Sequence, residues 1–195
     1  MKFGAVILDG GKSRRMGRDK AELMIAGKTF LEHIAGELGD FEELMISVNS
    51  TEKYPHTKYK IVTDIYTDCG PMSGIHAALS VCDSDVLLVV SCDLPLFRSE
   101  LGIYLREQLS ADLDAVVPVT SDGRIHPLCA VYHKRTVPIF KKYLDAGNYK
   151  ILEAFKSMRV KFIPLDRTPC SEKWLQNVNT PEEYEALCAQ KERIL

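Results

Sequence analysis

Short apolar runs alternate along the chain with segments whose apolar residues recur at helical spacing. The apolar runs predict strands at 3–8, 44–48, 59–63, 85–90, 115–119, 128–132 and 160–165. The intervening segments predict helices at 29–38, 72–82, 99–109, 135–144 and 151–158, and a last helix that begins at Thr180. Such an alternation is typical of a sheet that is covered by helices on both faces. The sequence therefore predicts an α/β fold with a mostly parallel sheet.

The composition is that of an ordinary globular enzyme. With 195 residues, the chain is predicted to form a single domain over 1–195. Apolar residues make up 46% and charged residues 27%, which suits a protein with a sizeable core. The formal net charge of −2 lacks the basic footprint of a general nucleic-acid binder, so no nucleic-acid partner is expected.

The cysteines and the apolar runs bear on the compartment. None of the six cysteines is spaced as C-x-x-C, so neither a zinc site nor a dithiol redox motif is predicted. Several lie in apolar runs, where buried free thiols are expected. The first apolar run is too short for a signal peptide, and no stretch approaches the roughly 20 apolar residues of a membrane span. We therefore expect a cytoplasmic protein that does not bind membranes.

The first apolar run ends at a glycine pair that opens a strongly basic segment. Gly10 and Gly11 are followed by five cations within 12–20, among them Arg15 and Lys20. Adjacent glycines let backbone N–H groups approach a ligand, and Arg and Lys both bind phosphate. A solvated basic turn is the alternative, but it does not explain glycines at the end of a strand. The glycine spacing matches neither the P-loop nor the dinucleotide-binding fingerprint.

Three more polar side chains follow predicted strands, and the carboxyl ends of strands are where α/β sheets bind ligands. Asp93 is the candidate metal ligand, because Mg²⁺ binds through one carboxylate together with phosphate oxygens. Its alternative role is to cap a turn. Asn49 and Asp64 carry groups that suit a base or a ribose, although both residue types are also common in turns.

Further polar residues are candidates for contacts with a second substrate. Asn177 and Asn179 precede the start of the last helix, whose dipole favours an anion there. Plain turn residues are an equally good interpretation of these two positions. Arg124 and His126 lie in a polar segment between two predicted strands, and a lone histidine is more often structural.

Motifs along nearly the whole chain resemble those of the molybdenum cofactor guanylyltransferases, a family of nucleotidyltransferases. They are the opening segment 8–20, Asp64 with Gly-Pro-Met-Ser-Gly at 70–74, Cys-Asp-Leu-Pro at 92–95, Arg-Ile-His-Pro-Leu at 124–128 and Asn-Val-Asn-Thr-Pro-Glu-Glu at 177–183. Each motif is modest, but their order is specific. The resemblance implies a three-layer αβα, Rossmann-like nucleotide-diphospho-sugar transferase fold. It also implies GTP and molybdopterin as substrates and Mg²⁺ as the cofactor.

The resemblance also implies roles for individual residues. The residues implied to hold guanosine are Leu8, Gly10, Asn49 and Asp64. Lys20 is implied to hold phosphate, Asp93 the magnesium ion, and Asn177 and Asn179 the molybdopterin. We also assign Asp9 and Gly11 to the GTP site. We expect Arg15, Lys20 and Asp93 to be the catalytic residues, with Arg15 as the second cation beside the leaving pyrophosphate.

Asp9 departs from the family, which usually has alanine at this position. A carboxylate beside a triphosphate repels it by roughly 4 kcal/mol at ~4 Å and an effective dielectric constant near 20, before screening. Asp9 therefore either points away from the phosphates or accepts hydrogen bonds from guanine N1 and N2.

Two short motifs favour the guanylyl branch over its cytidylyl relatives. Gly10 and Gly11 stand where those relatives carry Ala-Ala-Gly, and the Cys-Asp-Leu-Pro motif stands where they carry Asp-Gln-Pro. One alternative is a related nucleotidyltransferase that uses CTP or a sugar phosphate. Another is a non-catalytic module that carries GTP or the pterin to apoenzymes. Candidate protein partners are proteins that carry molybdopterin and apo-molybdoenzymes.

Overall fold

In the computed structural model, which describes residues 1–10 and 20–192, helices surround a central sheet. The strands are β1 (Phe3–Leu8), β2 (Met24–Ile25), β3 (Lys28–Thr29), β4 (Leu44–Val48), β5 (Lys60–Thr63), β6 (Val86–Ser91), β7 (Ala115–Val119), β8 (Cys129–His133) and β9 (Val160–Pro164). The helices are α1 (Phe30–Glu37), α2 (Pro71–Val81), α3 (Ser99–Glu107), α4 (Val137–Asp145), α5 (Ile151–Phe155) and α6 (Pro181–Glu192). Each strand and helix predicted from the sequence is present, with bounds shifted by up to three residues.

The strands of the central sheet lie in the order β5-β4-β1-β6-β8-β7-β9. Only β8 among these strands runs antiparallel to its neighbours, so the prediction of a mostly parallel sheet is confirmed. From β1 the chain moves outward to β4 and β5, and then returns to form β6 on the other side of β1. This reversal makes a switch point between β1 and β6, where the loops at the carboxyl ends diverge and leave a crevice.

Helices cover both faces of the sheet. Val6 and Leu8 of β1 belong to the core on the face of α2, α4 and α5, whereas Ala5 and Ile7 belong to the core on the face of α1 and α3. Because both faces are buried, β1 is apolar without alternation, as is typical of parallel strands. The predicted layer of helices on each side of the sheet is therefore present.

A third, smaller core ties the C-terminal segment to the hairpin of β2 and β3. Phe30, Val178 and Leu187 are buried in it, and the Tyr184 hydroxyl donates to the carbonyl of Met24 at 2.6 Å. The sequence analysis missed this hairpin, because strands of two residues are too short to show a period. The hairpin matters for the site because it anchors the segment that contains Asn177 and Asn179.

The described part of the chain also bears on the cysteines and on membrane spans. Its six cysteines are free thiols and all but Cys188 are buried, which confirms the expectation from the sequence. None of its helices combines the length and the apolar character that crossing a bilayer requires.

Replacing Thr29 with alanine should destabilise the protein by about 1 kcal/mol. The Thr29 side chain accepts a hydrogen bond from the backbone N–H of Glu32 at 3.1 Å, and the Glu32 carboxylate accepts from the backbone N–H of Thr29 at 2.7 Å. This capping box satisfies N–H groups that the first turn of α1 leaves unpaired. Urea unfolding measures the change, and Thr29→Ser should retain most of the stability. An equal loss in both variants would contradict the assignment.

Candidate active site

A cavity of about 460 Å³ lies at the carboxyl ends of β1, β4 and β6. It brings together residues that the sequence analysis predicted to bind GTP, namely Leu8, Gly10, Asn49, Asp64 and Asp93. Gly70 and Gly74 of the motif at 70–74 also line it. Ser47, Asp68 and Ser91 line the cavity as well, and no sequence motif marked them; Cys92 and Leu128, which also line it, belong to the motifs at 92–95 and 124–128 but were assigned no role. The parallel strands place these side chains at one edge because their carboxyl ends coincide.

The pairing of β1 with β6 brings Gly10 and Asp93 to the ends of neighbouring strands. Leu8 pairs with Ser91 across the two strands, and the backbone N–H of Cys92 donates to the carbonyl of Leu8 at 3.0 Å. Gly10 and Asp93 each lie two residues beyond this pair and both line the cavity. They therefore both border the cavity at the switch point.

Gly10 makes a close contact with Asn49. The side-chain amide of Asn49 donates to the carbonyl of Gly10 at 2.5 Å, and a Cβ added at Gly10 would lie only 2.7 Å from Asn49 Oδ1. A side chain at this position would have to displace the Asn49 amide or the Gly10 backbone. Gly10, which precedes the basic segment, is thereby attached to the residue that follows β4.

Replacing Gly10 with alanine should raise the KM for GTP by about tenfold, with a smaller change in kcat. The added methyl group must push the Gly10 backbone and the Asn49 side chain apart, and both residues line the cavity. Steady-state kinetics with varied GTP measures this change. Gly36→Ala is a matched control because a Cβ at Gly36 meets no heavy atom within 4 Å. If Gly10→Ala has the same KM as Gly36→Ala, the close contact does not matter for the nucleotide.

Asp64 is a half-buried carboxyl group at the edge of the cavity. It follows β5, and the Ser47 hydroxyl donates to Asp64 Oδ1 at 3.4 Å. Burial raises the pKa of Asp64 to about 6, although the hydroxyls of Ser47 and Ser73 act in the opposite direction. At neutral pH the group is therefore mostly ionised and able to accept hydrogen bonds from a ligand.

The Asp9 carboxylate is buried in an internal ion pair. Tyr54 donates its hydroxyl to Asp9 Oδ2 at 2.5 Å, and Lys53 Nζ lies 2.6 Å from the same oxygen. Of the two alternatives for Asp9, these contacts favour a side chain that points away from the phosphates. The sequence analysis missed Lys53 and Tyr54, because their segment carries no motif and lies 44 and 45 residues from Asp9.

Cys92 lines the cavity beside two carboxylates. Burial raises the pKa of its thiol well above the usual range, and the negative charges of Asp9 and Asp93 raise it further. The thiol therefore stays protonated at neutral pH. It has no role as a thiolate nucleophile at this site.

Asp93 has the position that a magnesium ligand requires. Within 1–10 and 20–192, no group of three or more His, Cys, Asp and Glu side chains is arranged as a metal site. Magnesium at nucleotide sites, however, takes one or two carboxylates and completes its shell with phosphate oxygens and water. Asp93 is a carboxylate at the wall of the first cavity and is therefore a ligand of the kind that this pattern requires.

A second cavity of about 430 Å³ adjoins the last segment of the chain. Asn177, Asn179, Arg124 and His126 line it. Burial lowers the pKa of His126, and the charge of Arg124 lowers it further. The backbone N–H of Val178, between the two asparagines, donates to the carbonyl of Asp93 at 2.9 Å. The second cavity is thus attached directly to the residue that borders the first.

Three predicted site residues lie wholly or partly outside the part of the chain that the structure describes. Gly11 and Arg15 lie outside the described residues, and so does the side chain of Lys20. Their roles at the phosphates stay predictions from the sequence.

Comparison with known proteins places the chain among the nucleotidyltransferases. Residues 5–160 match the family model of the MobA-like NTP transferase domain. A probable molybdenum cofactor guanylyltransferase of Clostridium perfringens is 38% identical over 98% of this chain and 99% of its own length. The molybdenum cofactor guanylyltransferase of Syntrophotalea carbinolica is 33% identical over 95% of this chain and 90% of its own. The chain therefore belongs to the MobA-like NTP transferase family, as the sequence motifs predicted.

The fold has a clear counterpart among solved structures. The molybdopterin-guanine dinucleotide biosynthesis protein A of Archaeoglobus fulgidus superposes with a TM-score of 0.86 at 24% identity, over 99% of this chain and 100% of that chain. This likeness confirms the predicted nucleotide-diphospho-sugar transferase fold.

Proposed function

We propose that the protein transfers GMP from GTP to molybdopterin that carries molybdenum, with release of pyrophosphate. The observation that carries the proposal is the cavity at the switch point, which Gly10, Asn49, Asp64 and Asp93 line together. The names of the relatives support guanylyl transfer over the CTP and sugar-phosphate alternatives. We further propose that residues 1–195 form one nucleotidyltransferase domain.

The reaction is a substitution at phosphorus. An oxygen of the terminal phosphate of molybdopterin forms a bond to the α-phosphorus of GTP. The bond from the α-phosphorus to the bridging oxygen breaks, and its electron pair leaves with pyrophosphate. The attacking phosphate is already anionic, so the protein needs no general base. Its contribution is to place the two phosphates in line and to neutralise their charge.

The guanine base is proposed to bind beside Asn49 and Asp64. Guanine carries two adjacent donors, N1–H and the N2 amino group, and an ionised carboxylate accepts from both. Cytosine presents an acceptor at N3 next to its amino group and would place that acceptor against the Asp64 carboxylate. The cavity therefore favours GTP over CTP through one charged group. Leu8, at the end of β1, supplies an apolar contact in the same cavity.

The phosphates are proposed to lie between the glycine turn and Asp93. Gly11, Lys20 and Arg15 belong to the basic segment that follows Gly10, and the two cations stabilise the leaving pyrophosphate. Asp93 would hold a magnesium ion, which when bound neutralises the charge that develops on the phosphate oxygens. Asp9 adjoins this region, but its carboxylate is paired internally.

Molybdopterin is proposed to occupy the second cavity. Asn177 and Asn179 offer amide donors and acceptors, and Arg124 offers a positive charge for an anionic substrate. The hydrogen bond from Val178 to the Asp93 carbonyl holds this cavity next to the reacting phosphates. Proteins that deliver molybdopterin or receive the dinucleotide are proposed partners.

The direct test is to incubate the protein with GTP, magnesium and molybdopterin and to identify the product by mass spectrometry. Molybdopterin guanine dinucleotide and an equal amount of pyrophosphate are the expected products. Parallel reactions with CTP, and with a sugar 1-phosphate as acceptor, test the related transferases. Binding of GTP without release of pyrophosphate would instead identify a carrier and contradict the proposal.

A further inference from the structure

Asp9 is a buried carboxylate next to the proposed triphosphate site. It lies between Leu8 and Gly10, which both line the nucleotide cavity, and its side chain is 2% exposed. Burying a charge is costly unless the charge is paired and hydrogen-bonded. An unpaired carboxylate at this position would also repel a nucleotide in proportion to the charge of its phosphates.

Lys53 and Tyr54, two consecutive residues from another part of the chain, contact the Asp9 carboxylate. Lys53 Nζ lies 2.6 Å from Asp9 Oδ2 and also donates to the Asp9 carbonyl at 3.3 Å. Tyr54 adds a hydroxyl donor at 2.5 Å. Lys53 ends a short 3-10 turn, Thr51–Lys53, that the Ser50 hydroxyl caps by accepting from the N–H of Glu52 at 3.3 Å. The last residue of this turn and the residue after it therefore donate to the same carboxylate.

The residue before this capped turn also contacts the wall of the nucleotide cavity. It is Asn49, whose amide donates to the Gly10 carbonyl. On the other strand, the backbone N–H of Asp9 donates to the carbonyl of Ser47 at 2.8 Å. The segment 49–54 is therefore attached to Asp9 by an ion pair, and to Gly10 by a hydrogen bond and a close contact.

From these contacts we infer that Lys53 is a positioning residue for GTP. Its ammonium group neutralises Asp9 and so makes the end of β1 electrostatically compatible with a triphosphate. Tyr54 orients the carboxylate toward Lys53 and away from the cavity. The inference rests on the proposed function, because it assumes that GTP occupies the first cavity. Nothing in the sequence motifs or in the names of the relatives assigns a role to Lys53 or Tyr54.

A direct contact between Lys53 and a phosphate is the competing explanation, and a double variant separates the two. Among the described residues, the lining of the nucleotide cavity includes Leu8 and Gly10 but not Lys53. If Lys53 acts by neutralising Asp9, then removing both charges should restore the affinity for GTP. If Lys53 itself binds phosphate, removing Asp9 as well should restore nothing.

The experiment measures the binding of guanosine and of GTP, with magnesium present throughout, by isothermal titration calorimetry. The variants are Lys53→Met, Lys53→Arg and the double variant Asp9→Ala with Lys53→Met. Lys58→Met is the matched control, because Lys58 is an exposed lysine a few residues beyond Lys53 and its ammonium group lies over the Tyr59 ring. Thermal unfolding of each variant by circular dichroism accompanies the titrations.

Lys53→Met should weaken GTP binding by about tenfold or more, because it removes the ammonium group that lies 2.6 Å from a buried carboxylate. Guanosine, which carries no phosphate, should bind within about twofold of the wild-type affinity. Lys53→Arg, Lys58→Met and the double variant should bind GTP nearly as the wild type does. The double variant still tests the inference if Lys53→Met alone does not fold.

Three results would overturn the inference. Equal losses for guanosine and GTP would mean a structural effect alone, no rescue in the double variant would mean a direct phosphate contact, and unchanged GTP binding by Lys53→Met would mean no role. A wild-type protein that binds neither ligand would instead contradict the proposed function, so the two failures are distinguishable.

Discussion

Replacing Asp93 with alanine is expected to lower the rate of guanylyl transfer by about a thousandfold. Asp93 borders the first cavity together with Gly10, and it is proposed to hold magnesium there. Without it, the charge on the triphosphate and on the leaving pyrophosphate is no longer neutralised from this side. The measurement is kcat for dinucleotide formation, followed by mass spectrometry at saturating GTP and molybdopterin.

Two further variants make the Asp93 result specific. Asp93→Asn keeps the size of the side chain and removes its charge, so it should lose nearly as much activity as alanine. Asp83→Ala is the control, because Asp83 is an exposed acid that precedes the amino end of β6, whereas Asp93 follows its carboxyl end. Near-normal turnover by Asp93→Ala would remove Asp93 as the metal ligand and would place the reacting phosphates elsewhere.

Replacing Asp64 with asparagine should weaken GTP binding by about 10- to 100-fold at neutral pH, because a charged acceptor for the guanine donors is lost. The wild-type protein should also lose affinity as the pH falls. The pKa of Asp64 is raised to about 6, so the ionised form decreases through that value on acidification. Below the pKa the affinity should fall by up to about tenfold per pH unit. The measurement is the KM for GTP between about pH 5 and pH 8.

The terminal phosphate of GTP also titrates in this pH range, so the variant serves as the control for the ligand. Both proteins share the titration of the phosphate, and only the wild type has the titration of Asp64. The difference between the two profiles should therefore show one group with a pKa near 6. Superimposable profiles would mean that Asp64 does not contact the base.

The clustering of the site could be predicted from the sequence because it follows from topology. Gly10, Asn49, Asp64 and Asp93 each follow an apolar run, and parallel strands bring their carboxyl ends to one edge. Burial on both faces made β1 and β6 unbroken apolar runs that were easy to recognise, whereas the edge strand β5 is partly exposed and gave a weaker signal. The order of the motifs then indicated the family, which the comparisons confirmed.

Other features depend on contacts that no local pattern encodes. An apolar run such as β8 has no signal for its direction, so its antiparallel pairing with β6 could not be predicted. The pairing of Asp9 with Lys53 and Tyr54 depends on where a 3-10 turn after β4 packs. The sequence shows that the charge of Asp9 is unusual at this position, but only the fold shows that Lys53 and Tyr54 contact it.

The central claim is that GTP lies in the crevice between the glycine turn and Asp93, with its base beside Asn49 and Asp64. A crystal structure of the protein with GTP and magnesium tests this claim most directly. The account predicts guanine within hydrogen-bond distance of the Asp64 carboxylate and the metal bound to Asp93. A nucleotide bound in the cavity of Asn177 and Asn179, or with its phosphates away from Asp93, would contradict it.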